Sequence, residues 1–530
     1  MSETGNEARN LITRREALAK IGGAALGSTL ASSRLPAQTG ARSAPQVKTP
    51  RKSNKKPNVL WITGEGVPLK VLSCYGSQLM STPHIDRIAN EGMRFDNSFV
   101  TNALCAPSRA TLLTGKYSNL NGMLSNPGET TQGVTASSTF DSAQETLPKI
   151  LRRNGYQTGM VGKWHLPANP GLTGFDYFVF KPNAGGPYYD PNHYYRNSRL
   201  GSNVIEEKSY PGYITDNVVD FTLEGLKQFT EPFFMMVQLF NDHRPFNPPH
   251  KYEHIYDKTR IPEPGTFYDD YSMRAAPAKE ARMRIADMPD FHPPADLTER
   301  QRKQWNYQKF MEHFLGTLRS QDDNLGRLLD HLDKSGLAED TIVVYTTDHG
   351  FFLGDHGWFD KRFMYEQAIR VPWMIRYPGH IKPGSVSDDW VVNIDNAPTV
   401  LDLVGLPVPQ EMQGRSIVPL FNGSAPPDWQ KSYYYHYYEF APPHWVLPHY
   451  GIRTNRYKLI SYYTVNEWEL FDLEKDPDEM ENLFHWAGYK VHPAYKSVAD
   501  DLVAQLKQLR AKYKDTTGSP VKLWPTSSYD

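Results

Sequence analysis

Short apolar runs alternate with helix-periodic segments along most of the chain. A helical pattern covers residues 143–153, and another around residues 310–332 stops at Ser335 and Gly336. Strands that alternate with helices make right-handed crossovers, so we predict an α/β fold with a large, mostly parallel sheet sandwiched by helices. The predicted buried strands are the apolar runs at residues 58–63, 157–161, 233–239 and 341–346.

The pattern changes after residue 425. Short aromatic segments separated by turns follow one another, and residues 493–514 then show helical spacing. We therefore predict a catalytic domain over residues 57–425 and a smaller α+β subdomain with an antiparallel sheet over residues 426–530. The aromatic segments are residues 433–440, 450–453, 457–463 and 468–472.

The N-terminal segment carries a targeting pattern. Arg14 and Arg15 precede a short stretch of small and apolar residues, which is typical of a twin-arginine export signal and too short for a membrane span. We predict an export signal over residues 1–37 that engages export machinery, then a disordered basic linker over residues 38–56. This places the protein in the periplasm or outside the cell. An ordinary amphipathic helix with a chance arginine pair is the alternative.

Composition narrows the class of protein. The 530 residues are 39% hydrophobic and 22% charged, which excludes a multi-span membrane protein and a wholly disordered chain. The 58 Lys and Arg residues balance the 59 Asp and Glu residues, so no net basic charge attracts nucleic acid or an anionic membrane. Two cysteines, Cys74 and Cys105, cannot build a disulfide framework or a cysteine-based zinc site.

Polar side chains follow each of the four predicted strands. Ligands of open parallel sheets bind beyond the carboxyl ends of the strands, so these side chains should meet at one edge. A lone polar residue in such a loop is more often solvated, whereas four groups at one edge favour a functional site. In chain order they are Glu65; Lys163 and His165; Asn241, Asp242 and His243; and Asp348 and His349.

Residues 105–109, which read Cys-Ala-Pro-Ser-Arg, open a predicted helix. Pro107 suits the first turn and Gly115 can end the helix. Free backbone N–H groups at a helix N-terminus favour an anion, and Arg109 adds a fixed cation one turn further on. Taken alone, Cys105 is better explained as a buried structural cysteine.

The motif Cys-Ala-Pro-Ser-Arg-Ala-Thr-Leu-Leu-Thr-Gly at residues 105–115 resembles the signature of type I, formylglycine-dependent sulfatases of the alkaline phosphatase superfamily. The resemblance covers residues 57–483, and residues 358–366 and 376–384 are most similar to N-acetylglucosamine-6-sulfatase-like glycan sulfatases. It implies an alkaline phosphatase-like fold and an enzyme that hydrolyses sulfate monoesters on a sulfated sugar or glycan. Further matching segments are residues 81–87, 91–95, 162–165, 347–350, 353–357 and 472–477.

The resemblance also implies catalytic roles. A maturation enzyme would convert Cys105 to formylglycine, whose hydrated aldehyde supplies the oxygen that attacks sulfur, and Arg109 would steady that hydrate. His165 would accept the proton that lets sulfate leave, and His243 would donate one to the leaving oxygen near Lys361. The implied catalytic residues are Cys105, Arg109, Lys163, His165, His243 and Lys361.

The implied metal site departs from the family pattern. Its ligands would be Glu65, Cys105, Asp348 and His349, with Ca²⁺ as the expected divalent metal. Family members usually carry two adjacent carboxylates after the first strand, but here Gly66 follows Glu65. We expect the missing carboxylate to weaken metal binding and to reduce activity.

Several residues are candidate contacts for the sugar. His444, Trp445 and His449 lie in an aromatic segment whose rings could stack on a sugar, although most rings there should be strand core. Asn241 and Asp242 would contact substrate or only cap a turn. Two other functions remain open from the sequence: a phosphonate monoester or phosphodiester hydrolase of the same superfamily, and a non-catalytic glycan-binding relative with an incomplete metal site.

Overall fold

The computed structural model describes residues 55–132, 138–182, 185–189, 192–240, 243–484 and 490–521. The predicted export signal, all but the last two residues of the predicted linker, Asn241 and Asp242 lie outside the described residues. No helix in the described ranges combines the length and the apolar character that a bilayer crossing requires.

The described residues form one large sheet, one smaller sheet, a two-stranded ribbon and surrounding helices. The strands are β1 (Asn58–Gly64), β2 (Met93–Phe99), β3 (Gln157–Lys163), β4 (Tyr177–Lys181), β5 (Asn192–Asn197), β6 (Ile205–Tyr210), β7 (Phe233–Gln238), β8 (Thr341–Thr347), β9 (Phe352–Leu353), β10 (Phe359–Asp360), β11 (Trp373–Arg376), β12 (Ser385–Val392), β13 (Ser432–Tyr437), β14 (His449–Thr454), β15 (Tyr457–Tyr462) and β16 (Glu467–Asp472). The α-helices are α1 (Pro83–Asn90), α2 (Cys105–Thr114), α3 (Ser118–Asn121), α4 (Leu147–Arg153), α5 (Ile214–Gln228), α6 (Ala276–Glu280), α7 (Glu299–Lys334), α8 (Glu366–Ile369), α9 (Asn396–Leu403) and α10 (Lys496–Lys512).

The large sheet has ten strands in the order β12-β2-β11-β8-β1-β7-β3-β4-β5-β6. The four predicted strands are β8, β1, β7 and β3, which are neighbours at its centre and run parallel. Their register pairs Gly64 with Thr347 and Thr63 with Gln238, so their carboxyl ends finish side by side. The α/β prediction is confirmed, with antiparallel pairs at β11 and at the β5–β6 edge.

Both faces of the central strands are buried, which explains their continuous apolar sequence. In β1, Leu60 and Ile62 join the core under α7, whereas Val59 and Trp61 join the core under α2 and α4. A strand that is covered on both faces needs no polar residue at alternate positions.

Two helices differ from their predicted bounds. The helix predicted over residues 143–153 begins only at Leu147, because Thr146 is its N-cap and Pro148 occupies its first turn. Helix α7 extends further towards the N-terminus than the apolar pattern indicated, to a capping box formed by Thr298 and Gln301.

The C-terminal region contains the predicted antiparallel sheet, in the order β13-β14-β15-β16, and α10 packs against it. Its aromatic strands supply a separate buried core. The boundary at residues 425 and 426 stays a prediction, since all described residues lie within one compact unit.

Candidate active site

The polar residues at the ends of the central strands converge on Cys105. This residue is free, buried, and the first residue of α2, whose N-cap is Leu104. Its Sγ lies 3.3 Å from Glu65 Oε1 and 3.4 Å from His349 Nε2. Residues after β1 and β8 therefore meet the helix N-terminus at the edge where the sequence predicted a site.

Arg109, one turn into α2, binds the outer oxygens of two carboxylates. Its guanidinium lies 2.7 Å from Glu65 Oε2 and 2.9 Å from Asp348 Oδ2, and the side chain is 2% exposed. Lys163 Nζ, at the end of β3, lies 2.6 Å from the same Glu65 oxygen. The two cations leave Glu65 Oε1 and Asp348 Oδ1 as the oxygens that face His349.

Gln238 is a site residue that the sequence analysis missed. It ends β7, and its Oε1 accepts a hydrogen bond of 2.7 Å from the Arg109 guanidinium, which also donates to the Lys163 carbonyl at 3.1 Å. The sequence could have indicated it, because Gln238 is a polar residue at the end of an otherwise apolar strand. Every described contact of the Arg109 guanidinium is thus to a strand end or the loop that follows it.

Four side chains have the geometry of a metal site. One candidate ligand atom each from Glu65, Cys105, Asp348 and His349 lies within 4.8 Å of the others, and all four residues are buried. His349 Nδ1 lies 2.8 Å from the Gly350 carbonyl oxygen, so Nδ1 carries a proton and Nε2 faces the cluster, where it would give up its own proton to ligate a metal. Two carboxylate oxygens and an imidazole nitrogen fit a divalent cation.

Gly66 has no space for the carboxylate that the family pattern would place there. Its φ of +62° is left-handed, and an added Cβ would lie 2.9 Å from Phe351 Cδ2 and 3.2 Å from His349 Cε1. The Gly66 backbone N–H instead donates to Asp348 Oδ1 at 3.2 Å. The turn orients an existing carboxylate rather than providing a second one.

The charges around Cys105 alter its acidity and that of its neighbours. Burial opposes ionisation of the thiol, but Lys163, Lys361 and His349 outweigh it and hold the pKa of Cys105 well below its usual value. Burial also disfavours the imidazolium of His349, yet Asp348 and Cys105 raise its pKa to about 9. The site therefore stabilises negative charge at residue 105.

His165 has the opposite character. Burial lowers its pKa to about 4, so the imidazole is neutral at pH 7 and can accept a proton. Its Nδ1 is buried and has no hydrogen-bond partner among the described residues, and its φ is +57°. A strained and neutral histidine after β3 that is hydrogen-bonded to Cys105 is suited to proton transfer.

A second charged cluster adjoins the first and was only partly predicted. Asp360 Oδ1 lies 3.2 Å from Lys361 Nζ and 2.7 Å from an Arg362 guanidinium nitrogen, and Asp360 Oδ2 lies 2.6 Å from His444 Nε2. The Lys361 ammonium also lowers the pKa of Cys105. Asp360 thus connects the predicted catalytic lysine to a predicted sugar-contact residue.

The remaining predicted residues occupy different environments. The ring nitrogen Nδ1 of half-buried His243 lies 3.0 Å from the Arg244 carbonyl oxygen, and Nε2 has no hydrogen bond to any residue that the structure describes. Trp445 is 37% exposed. His449 is fully buried, with Nε2 accepting from the Met364 N–H at 3.2 Å and Nδ1 2.8 Å from the Leu447 carbonyl oxygen. These contacts of His449 favour a packing role over contact with a sugar.

Two family models match the chain. The model described as "Sulfatase" matches residues 57–406, and the model described as "N-sulphoglucosamine sulphohydrolase, C-terminal" matches residues 354–512. Together they span both sheets.

Individual proteins are similar over nearly the whole chain. An N-acetylglucosamine-6-O-sulfatase of Bacteroides thetaiotaomicron is 38% identical in an alignment of 515 positions, and the alignment covers 88% of this chain and 88% of that one. A structure solved in complex with its substrate D-glucosamine-2-N,6-O-disulfate has a TM-score of 0.78 and 37% identity, and covers 87% of this chain and 99% of that one. A phosphonate monoester hydrolase from Silicibacter pomeroyi shares the fold, with a TM-score of 0.68, 22% identity, and coverage of 87% and 96%.

Proposed function

The chain belongs to the sulfatase family, and from that membership we propose that it removes the 6-O-sulfate group from a sulfated glucosamine residue of a glycan. The observation that carries the substrate is the likeness, over 88% of each chain, to the Bacteroides N-acetylglucosamine-6-O-sulfatase. The structural relative that binds a 6-O-sulfated glucosamine supports the same class of sugar.

Cys105 is the residue on which we place the nucleophile. Formylglycine made from it by a maturation enzyme would form a hydrate, one hydroxyl oxygen of which attacks sulfur and displaces the sugar oxygen. Loss of the proton from the second hydroxyl group would re-form the aldehyde and release sulfate. The free thiol, the helix N-terminus and the surrounding cations fit a group that must carry negative charge. Arg109 and Lys163 would hold Glu65 and Asp348 in place during the reaction.

A divalent metal, for which we propose Ca²⁺, would be held by Glu65, Asp348, His349 and residue 105, and would neutralise charge on the sulfate group. His165, neutral at pH 7, would accept a proton from residue 105, and His243 Nε2 would donate one to the leaving oxygen. Lys361 would stabilise negative charge on residue 105 and on the sulfate group. The sugar-contact roles of Asn241, Asp242, His444, Trp445 and His449 remain predictions, although the contacts of His449 favour packing.

We also propose export by the twin-arginine route to the periplasm or the cell exterior. The support is the Arg14-Arg15 pattern and the sulfated-glycan substrate class. Replacing both arginines with lysine should retain the protein in the cytoplasm. Equal secretion of both forms would contradict the route.

The proposed function is tested by sulfate release from 6-O-sulfated N-acetylglucosamine. The protein should be made in a host that converts a control sulfatase to its formylglycine form. The wild type should release sulfate, and Cys105→Ala should release none. The mass of the tryptic peptide that ends at Arg109 should show aldehyde in place of thiol.

Two results would redirect the proposal. Faster hydrolysis of an aryl phosphonate than of the matched aryl sulfate would favour the phosphonate hydrolase alternative. Binding of the sulfated sugar without turnover, with unmodified Cys105, would favour a glycan-binding relative. Full activity of Cys105→Ala would exclude the nucleophile proposed here.

A further inference from the structure

We propose that the surface around Trp445 and Arg282 binds the sugar residue next to the sulfated one and selects chains in which that neighbour carries a sulfate or carboxylate group. This inference rests on the proposed function, because it extends the substrate from one sugar to an anionic oligosaccharide.

The surface around Trp445 and Arg282 adjoins the charged cluster that contains Asp360 and His444. His444 is bound to Asp360, and Trp445 follows it in the chain, so their Cα atoms are about 3.8 Å apart. Phe359, the residue before Asp360, packs against the His444 ring with centroids 6.3 Å apart. Phe359 and Trp445 line the same cavity of about 720 Å³, which therefore adjoins the cluster through two pairs of neighbouring residues.

Trp445 is held as an exposed platform. It is 37% exposed, has a φ of +51° and packs edge-on against Phe440 with ring centroids 5.1 Å apart. A left-handed backbone is costly for a bulky residue and is typical of functional sites. The exposed Pro442 and Pro443 limit the freedom of the preceding loop. An exposed, rigid aromatic face is suited to the apolar face of a sugar ring.

The guanidinium of Arg282 has no ion-pair partner among the residues that the structure describes. Its backbone N–H donates to the His444 carbonyl oxygen at 2.8 Å, which fixes it beside the platform. The side chain is exposed, and no carboxylate in the described part of the chain lies within ion-pairing distance of it. Guanidinium binds sulfate and carboxylate through paired hydrogen bonds.

Two other cations of the larger cavity, Arg284 and Lys303, are already engaged, whereas the exposed Lys279 lines it beside Arg282. The Arg284 guanidinium lies 3.8 Å from the Tyr271 ring centroid and donates to the Lys279 carbonyl oxygen, and Lys303 Nζ donates to the Phe267 carbonyl oxygen. Arg282 and Trp445 also line a second cavity of about 530 Å³, together with Glu280, whose carboxylate can accept hydrogen bonds from sugar hydroxyl groups. Both volumes lie in the range of ligand sites.

The experiment compares three 6-O-sulfated substrates: the free N-acetylglucosamine, a disaccharide with a neutral neighbour, and a disaccharide with an anionic neighbour, either a uronate or a second sulfate. Arg282→Gln should raise KM about tenfold for the anionic disaccharides only, since a charge-assisted hydrogen bond is lost. Trp445→Ala should raise KM for all disaccharides by a larger factor than for the monosaccharide. The matched control Arg199→Gln, an exposed arginine in the turn between β5 and β6, should change none.

The outcomes separate this inference from the proposed function. Sulfate release from the monosaccharide by the wild type, with no preference for either disaccharide and no effect of either variant, would overturn the inference alone. Equal losses on all three substrates would place Arg282 and Trp445 in the sulfated-sugar pocket and also overturn it. Absence of sulfate release from every substrate by a converted wild type would instead contradict the proposed function. The uronate and sulfate arms show which anion is preferred.

Discussion

At the scale of single residues, three histidines show how environment decides chemistry. Burial lowers the pKa of His165 to about 4 and that of His449 to about 3, whereas Asp348 and Cys105 raise the pKa of His349 to about 9 despite burial. The sequence placed all three in functional roles. It could not distinguish them, because the hydrogen-bond partners of His449 are the backbone of Met364 and Leu447, which no residue pattern reveals.

His449 should affect acid stability rather than substrate binding. Its folded pKa of about 3 lies below the usual value, so between about pH 6.5 and pH 3 the unfolded chain binds a proton that the folded chain does not. The free energy of unfolding therefore decreases as the pH is lowered through that window. From pH 7 to pH 5 the wild type should lose about 2 kcal/mol more stability than His449→Gln. Urea unfolding at both pH values measures this difference.

The exposed His254 provides the control, since His254→Gln should follow the wild type. An unchanged pH dependence in His449→Gln, or a raised KM at unchanged stability, would contradict the packing role.

At the scale of elements, the sequence predicted the central strands well and the edge strands not at all. Strands β1, β3, β7 and β8 are buried on both faces, so their apolar runs stand out. Strand β6 is almost wholly solvent-exposed and reads Ile-Glu-Glu-Lys-Ser-Tyr, so only its pairing with β5 makes it a strand. The site residues that follow the apolar strands were found, and Gln238, which is the last residue of β7, was missed.

The turn after β1 should not accept a side chain. Gly66→Ala would impose a left-handed conformation that costs about 1–2 kcal/mol, and would also press on Phe351 and His349. We expect lower affinity for Ca²⁺, measured by thermal shift, and lower sulfatase activity. Gly66→Asp should fail for the same reason, despite restoring a carboxylate.

Gly155→Ala is the matched control. Its φ of +86° imposes similar backbone strain, but its added Cβ would meet no atom within 4 Å. Equal metal affinity and activity in the two alanine variants would show that contact with His349 is unimportant.

The end of β7 should control the position of Arg109. Gln238→Leu removes the acceptor 2.7 Å from the guanidinium, and should lower kcat about tenfold with little change in KM. Gln238→Glu keeps an acceptor and should retain more activity. A raised KM at unchanged kcat would instead place Gln238 in substrate binding.

At the scale of the whole molecule, buried ion pairs join the small sheet to the active-site region. Lys458 on β15 lies 2.9 Å from Glu366 on α8 and 2.5 Å from Glu479, and its side chain is fully buried. Helix α8 follows Asp360 and Lys361 within a few residues. The C-terminal subdomain that the aromatic pattern predicted therefore helps to position the segment that carries Asp360 and Lys361. The sequence did not indicate this role.

Removing Lys458 should destabilise the protein as a unit. Lys458→Met leaves Glu479 buried without its cation, at an expected cost of about 3–5 kcal/mol in the free energy of unfolding. Thermal unfolding should show one transition shifted to lower temperature. The surface variant Lys475→Met should shift it little. Adding Glu479→Gln should recover part of the loss, and no recovery would contradict this explanation.

The burial of Cys105 also bears on whether its proposed conversion occurs before or after folding. The thiol is only 1% exposed and is covered by α2 and by residues of the loops after β1 and β8, which lie up to 244 positions away in the chain. If Cys105 is converted to formylglycine as proposed, a maturation enzyme would not reach the thiol once the last of these segments had closed over it. Conversion would then precede folding, and a chain that folded first would stay inactive. The rate of synthesis and the supply of maturation enzyme would then decide the yield of active protein before any of it leaves the cell.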